Sequence, residues 1–173
     1  MTFEEIKALD EQYVMHSYGR NPVAIDRGKG ATLWSVDGKE YIDFTAGIGV
    51  ASLGHGDEGW LRAITTQAAR LAHISNLFYT EPYARAAEKL CARAGMANVM
   101  FGNSGAEANE AMIKLARKWS FDKYGKGRGT IITLHNSFHG RTITTLAATG
   151  QDKFHDYFFP FTEGFRYADA NDM

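Results

Sequence analysis

The longest periodic stretch of apolar residues in the chain follows Ser104. Six of them share one face of a predicted helix: Ala108, Ala111, Met112, Leu115, Ala116 and Trp119. Their spacing of three and four residues predicts an amphipathic α-helix with a single apolar stripe. Further helices are predicted over residues 3–14, 60–73, 83–94 and 142–148.

Shorter apolar or alternating runs predict β-strands. Residues 32–36 and 39–44 alternate around Asp37-Gly38, which is a strong hairpin signal. Other strands are predicted at residues 98–101, 130–134 and 164–169. Because strands alternate with helices from Asn98 onward, we expect an α/β domain with a mixed or parallel sheet.

A glycine turn separates the predicted strand 98–101 from the long helix. The first N–H groups of a helix lack intrahelical partners, so those of Gly105 and Ala106 are candidates for binding an anion. The Ser104 hydroxyl can add a donor, and the helix dipole favours negative charge there. The alternative is that Ser104 and Glu107 form a capping box that needs no ligand. The spacing excludes a Walker A loop and a GxGxxG dinucleotide motif.

A second loop, 137–142, follows the next predicted strand. Phe138 supplies a flat apolar ring, and Arg141 supplies a planar fork that matches a carboxylate. Together the two loops suggest a phosphate-bearing cofactor with an aromatic ring. The alternatives are that Phe138 is a core aromatic and that Arg141 is a solvated or acid-paired surface residue. His135 and His139 flank this loop without a metal-binding pattern, and we predict no metal site or catalytic role there.

Four segments give the chain a family resemblance: FGNSGAEANEAMIKLARK, FHGRT, AGIGVASLGH and SNLFYTEP. In this order and spacing they resemble the class III, pyridoxal-phosphate-dependent aminotransferases. The resemblance implies that Gly105 and Ala106 bind the phosphate of pyridoxal 5'-phosphate, that Phe138 stacks on its ring, and that Arg141 binds the substrate carboxylate. We count Ser104 among the cofactor-binding residues because its hydroxyl lies at the same helix start.

The same resemblance implies the reaction. The expected substrates are N-acetylornithine as amino donor and 2-oxoglutarate as acceptor, in arginine biosynthesis. Ornithine, succinylornithine and 4-aminobutyrate remain alternative donors, because these motifs do not separate them firmly. The position of Arg141 favours an acylated ornithine.

The lysine that binds the cofactor covalently in this family has no counterpart among the lysines of this sequence. We therefore assign no catalytic residue and expect the 173-residue chain to be inactive alone. A non-catalytic binding protein that retains half a site is the alternative. The good N-cap residues Asn171 and Asp172 imply a following helix, as in an amino-terminal fragment.

The resemblance also implies an architecture. We expect the amino-terminal part of a fold-type I pyridoxal-phosphate-dependent transferase: a helix and hairpin of the small domain over residues 1–45, and an incomplete large-domain sheet with helices over residues 46–173. The family forms homodimers, and residues 75–79 correspond to the interface. In a complete enzyme we expect the aromatic segment 154–161 to be covered by later sequence or a second subunit; the alternative is a locally packed loop.

Composition narrows the classes of partner. A formal net charge of -1 gives no electrostatic reason to bind nucleic acid or an anionic membrane. No apolar run is long enough to cross a bilayer. Cys91 is the only cysteine, which fits a reducing compartment, and we expect a cytoplasmic enzyme with small-molecule substrates.

Overall fold

A computed structural model describes residues 1–172 of the chain. Two compact units are present: one spans Met1–Tyr79 and the other begins at Thr80. They are described separately below. The predicted division into domains between residues 45 and 46 stays a prediction.

The first unit contains a helix, a small sheet and a second long helix. Its elements are α1 (Phe3–Tyr13), β1 (Ile25–Lys29), β2 (Thr32–Ser35), β3 (Glu40–Ile42), α2 (Ala46–Gly49) and α3 (Glu58–Arg70). The short element α2 is a single turn whose four residues all have positive φ angles. The three strands are antiparallel in the order β1-β2-β3. The predicted hairpin is confirmed: Gly38 has a φ of +83° and its N–H donates to the Ser35 carbonyl at 2.9 Å. The first predicted helix is also confirmed, and Thr2 and Glu5 form a capping box at its start.

The second unit combines helices with a parallel sheet. Its elements are α4 (Glu81–Ala94), α5 (Gly105–Tyr124), β4 (Ile131–Leu134), α6 (Ile143–Ala148) and β5 (Phe165–Ala168), with a 3₁₀ turn at Asp152–Phe154. β4 and β5 pair in parallel, from Ile131 opposite Phe165 to Leu134 opposite Ala168. The helix α6 lies between them along the chain, as a parallel pair requires. The predicted α/β character is confirmed.

The core of the second unit is centred on α6. Thr145, Leu146, Ala147 and Ala148 are all buried, together with Ile113 of α5. The Tyr167 hydroxyl of β5 donates to the Ala147 carbonyl at 2.6 Å. Partial burial raises the pKa of Tyr167, because a phenolate would lose solvation there. The helix α6 is therefore tied to the sheet.

The strand predicted at residues 98–101 is wrong for this structure. The segment has no strand pairing among residues 1–172, and Met100 is exposed. Phe101 packs edge-on against Tyr83, with ring centroids 4.9 Å apart. An apolar run becomes a strand only where a neighbouring strand takes up its backbone hydrogen bonds, and the sequence of the run alone does not reveal that neighbour.

Two other expectations fall near the end of the chain. Asn171 has a φ of +63°, which is not the extended conformation of an N-cap, while any helix after Asp172 lies outside the described residues. In the aromatic segment, Tyr157 is 94% exposed, whereas Phe161 packs against His155. What covers this segment stays a prediction.

Within residues 1–172, no helix has the length and apolar character needed to span a membrane.

Candidate functional site

The site begins at the amino-terminal end of α5. Ser104 is the N-cap residue, with an extended backbone (φ -153°, ψ 161°), and its hydroxyl oxygen accepts the N–H of Glu107 at 3.2 Å. The helix α5 thus begins at Gly105, after the N-cap Ser104, as the sequence predicts.

The Glu107 side chain does not complete the predicted capping box. Its carboxylate accepts the backbone N–H of Asn103 and, at 3.3 Å, the Asn103 side-chain amide, whereas a capping box would engage the N–H of Ser104. The Asn103 N–H lowers the pKa of Glu107, because hydrogen bonds to a carboxylate favour its charged form. The negative charge of Glu107 is therefore compensated next to the helix end.

The N–H groups of Gly105 and Ala106 are available to a ligand. Within residues 1–172, no protein oxygen accepts from either of them. A Cβ placed on Gly105 would meet no atom within 4 Å, so the space beside it is open. This is the arrangement that binds phosphate groups at helix ends.

The second loop is fastened to the same end of α5. The Asn109 side-chain amide donates to the His139 carbonyl at 2.8 Å, and the Thr142 hydroxyl donates to the Glu110 carboxylate. A Cβ on Gly140 would lie only 2.8 Å from the Cβ of Ala106. The backbone of the loop therefore packs directly on the first turn of the helix, and only glycine allows that approach.

Phe138 and Arg141, the residues predicted to bind the cofactor ring and the substrate carboxylate, lie side by side. Phe138 is 53% exposed, and its ring packs edge-to-face with that of Phe154, with centroids 5.7 Å apart. The guanidinium carbon of Arg141 lies 5.9 Å from the Phe138 ring centroid and 5.8 Å from that of Phe154. Phe138 is thus not a core aromatic. An exposed ring beside a cation suits a flat ligand that carries negative charge.

His139 is held by its own loop. Its backbone N–H donates to the Thr149 hydroxyl at 3.0 Å, and its Nδ1 lies 3.3 Å from the Ser137 hydroxyl. Among the described residues, His, Cys, Asp and Glu side chains form no cluster of three that could hold a metal ion. The contacts of His139 are those of a residue that shapes the loop.

Sequence reasoning missed three residues that join the two loops: Asn109, Glu110 and Gly140. Asn109 carried a signal, since asparagine has low helix propensity and is uncommon inside a helix without a tertiary partner. Glu110 lies four residues before Lys114, the spacing of a helical ion pair, but in the described part of the chain no ion pair joins these two side chains. Glu110 accepts from Thr142 instead, a contact across 32 residues that no local pattern reveals.

The chain matches a known family. The model of the class III aminotransferases matches residues 13–173, and the chain belongs to that family. It is 56% identical over 173 residues to the acetylornithine aminotransferase of Haemophilus ducreyi, covering 100% of this chain and 44% of that protein. It is 57% identical over 164 residues to that of Wolinella succinogenes, covering 94% of this chain and 42% of the relative. The chain thus spans less than half the length of these relatives.

Solved structures support the same conclusion. The ornithine aminotransferase of Toxoplasma gondii ME49 is 35% identical, with a TM-score of 0.93 over 99% of this chain and 41% of that one. The acetylornithine aminotransferase of Elizabethkingia anophelis is 31% identical, with a TM-score of 0.79 over 99% of this chain and 39% of its own. The fold is therefore part of the aminotransferase architecture that was predicted.

The cofactor of this family is pyridoxal phosphate, and a second Toxoplasma ornithine aminotransferase structure describes it at the active site. The residues of this chain fit such a group. Two unpaired N–H groups at a helix end suit its phosphate, and a half-exposed aromatic ring suits its pyridine. The individual roles of Ser104, Gly105, Ala106, Phe138 and Arg141 remain predictions.

Proposed function

We propose that this chain is the amino-terminal part of an acetylornithine aminotransferase, which transfers an amino group from N-acetylornithine to 2-oxoglutarate in arginine biosynthesis. The observation that carries the proposal is the identity of 56–57% to two enzymes of that name over 94–100% of the chain. The joined loops at the start of α5 support it, because they assemble the predicted half-site.

Each residue of the half-site has a proposed task. The N–H groups of Gly105 and Ala106, with the Ser104 hydroxyl, hold the cofactor phosphate. The ring of Phe138 fixes the plane of the pyridine. The Arg141 guanidinium orients the amine substrate by its α-carboxylate.

Bound pyridoxal phosphate would supply the electron-withdrawing ring that makes the proton on the amine-bearing carbon of the substrate removable; in N-acetylornithine this is the terminal (δ) carbon, because the α-amine is acylated. No lysine of this chain matches the family's cofactor-binding lysine, so the proton-transfer step is assigned to the remainder of the enzyme. We therefore propose that residues 1–173 alone are inactive.

The assay uses two purified proteins: residues 1–173, and a form that also carries the carboxy-terminal portion found in the relatives. Each is incubated with pyridoxal phosphate, N-acetylornithine and 2-oxoglutarate, and glutamate is measured. We expect glutamate only from the longer form. Turnover by a mass-verified 173-residue chain from a transaminase-deficient host would refute the proposed inactivity.

A separate assay compares the candidate amino donors. Ornithine is the second candidate, because the Toxoplasma ornithine aminotransferase has a TM-score of 0.93. Assaying the longer form with N-acetylornithine, ornithine, succinylornithine and 4-aminobutyrate ranks the donors by kcat/KM. We expect N-acetylornithine to give the highest value, and a higher value for ornithine would overturn the assignment.

We also propose a homodimer in the cytoplasm. Residues 75–79 belong to the segment expected at the interface, and Leu77 and Tyr79 are exposed. The single cysteine suits a reducing compartment. Sedimentation of the longer form at micromolar concentration should give twice the monomer mass, and fractionation of the source cells should recover it with cytoplasmic markers.

A further inference from the structure

The segment 44–50 in the first unit has an unusual backbone. Four consecutive residues have positive φ angles: Ala46 at 44°, Gly47 at 61°, Ile48 at 62° and Gly49 at 83°. Glycine adopts this left-handed region readily, but a β-branched residue such as isoleucine rarely does. Ile48 is 96% exposed, so its own packing within the chain does not stabilise this conformation.

The carboxylate of Asp43 collects the hydrogen bonds at the start of this segment. One oxygen, Oδ1, accepts the Thr45 N–H at 2.8 Å, the Thr45 hydroxyl at 2.8 Å and the Ala46 N–H at 2.9 Å. Three donors on one oxygen fix the direction in which the chain leaves Asp43. The Asp43 side chain is only 6% exposed, so water competes little for these bonds.

The second oxygen of Asp43 ties the segment to the small sheet. Nε2 of His55 donates to Oδ2 at 2.8 Å. His55 is itself anchored, because its backbone exchanges two hydrogen bonds of 2.8 Å with Gly30. Its side chain also occupies the place of a side chain at Gly28, where an added Cβ would lie 2.6 Å from the His55 ring.

We propose that Asp43 and His55 form a clasp that holds residues 44–50 in the left-handed conformation, and that opening the clasp releases this segment while the sheet stays folded. The segment thus has a closed and an open state. The bonds to Asp43 offset the unfavourable backbone of Ala46 and Ile48 in the closed state. The clasp is a device of the first unit and does not depend on the proposed enzymatic function.

Hydrogen–deuterium exchange of the complete protein at constant pH tests the clasp. Asp43→Asn should speed exchange in the peptide covering residues 44–51 about tenfold or more, because it removes a charged acceptor with several donors. His55→Asn should act in the same direction. Peptides from α1 and β2 should exchange as in the unchanged protein.

Two exposed residues of the same unit provide matched controls, Asp26→Asn and His73→Asn. Neither should change exchange in residues 44–51. The double variant Asp43→Asn/His55→Asn should be no faster than Asp43→Asn alone, because both changes open the same clasp. Independent, multiplying effects would overturn the proposal, as would unchanged exchange in a folded Asp43→Asn protein.

A milder variant covers the case in which Asp43→Asn does not fold. Thr45→Val keeps the shape of the side chain and removes one of the four donors to Asp43. We expect it to speed exchange in residues 44–51 about threefold to tenfold. Uniform acceleration across the first unit would mean that Asp43 supports global folding only, and would refute a separate open state.

Discussion

At the scale of single residues, the least favourable backbone conformation lies at Ile48. The left-handed helical conformation of an L-residue costs about 1–2 kcal/mol of conformational free energy. Because the side chain is exposed, we expect Ile48→Gly to raise the free energy of unfolding by about 1 kcal/mol in chemical denaturation. Val50→Gly is the control, since Val50 is equally open at 84% exposure but has a φ of -80°. It should lower stability by about 0.5–1 kcal/mol.

Arg141 is the residue whose replacement separates substrate binding from stability. In the complete enzyme, Arg141→Ala should raise the KM for the amine substrate by about 10-fold to 100-fold, corresponding to about 1.5–3 kcal/mol for a lost charge-assisted pair. The melting temperature should change little. Arg128→Ala is a matched control, because Arg128 also stacks on an aromatic ring, 4.2 Å from the Tyr124 centroid. An unchanged KM would remove Arg141 from the site.

At the scale of elements, the join between α5 and the second loop depends on Gly140. Its φ is +134°, and an added Cβ would lie 2.6 Å from the Thr145 hydroxyl and 2.8 Å from Ala106. Gly140→Ala should therefore destabilise the protein by about 1–3 kcal/mol and weaken cofactor binding.

Gly95→Ala is the control for the backbone strain alone. Gly95 has a φ of +65° and open space around it, at the end of α4. Gly95→Ala should lower the free energy of unfolding by about 1 kcal/mol without changing the cofactor affinity measured by titration. Equal cofactor affinity in both variants would show that the close approach at Gly140 does not shape the site.

The contact between β5 and α6 predicts a pH dependence. Burial raises the pKa of Tyr167, so the neutral phenol is favoured in the folded state. Its stabilising effect is complete below the ordinary tyrosine pKa of 10.0 and is lost as the pH rises through the higher folded value. Tyr167→Phe should lose about 0.5–1.5 kcal/mol at pH 7 and show a weaker decline above pH 10 in denaturant titrations. A parallel decline in both proteins would contradict this.

At the scale of the whole molecule, many large apolar side chains are exposed. The accessible area is 14462 Å² for a mass of 19.2 kDa. A folded monomer of that mass exposes about 8,400 Å², and two separate units of half the mass would expose about 10,000 Å² together. The buried apolar side chains of the described residues are four: Ile113, Leu146, Ala147 and Ala148.

We therefore expect residues 1–173 alone to bind the dye ANS and to associate at micromolar concentration. Sedimentation velocity and dye fluorescence measure this. The longer form, in which further sequence is present, should bind several-fold less dye per residue. Equal binding by both forms would mean that the additional sequence leaves this surface uncovered.

Structural features that depend on residues close together in the chain were predicted well from the sequence. The hairpin at Asp37-Gly38, the start of α5 at Ser104 and the first helix after Thr2 all depend on hydrogen bonds within one turn of chain. The half-site residues Gly105, Phe138 and Arg141 came from family motifs. The strand at residues 98–101 was wrong, because a strand depends on a neighbour that its own sequence does not specify.

The sequence by itself determined where helices begin and where the chain turns, because capping, turn and periodicity rules act over a few residues. The family was indicated separately, by the resemblance of four segments to known motifs. Only the tertiary structure decided which distant groups meet. Gly140 lies on Ala106, Asn109 holds His139, and Asp43 reaches His55. Such contacts depend on the packing of whole elements, and a glycine, an asparagine or an aspartate carries no local mark of the partner it will find.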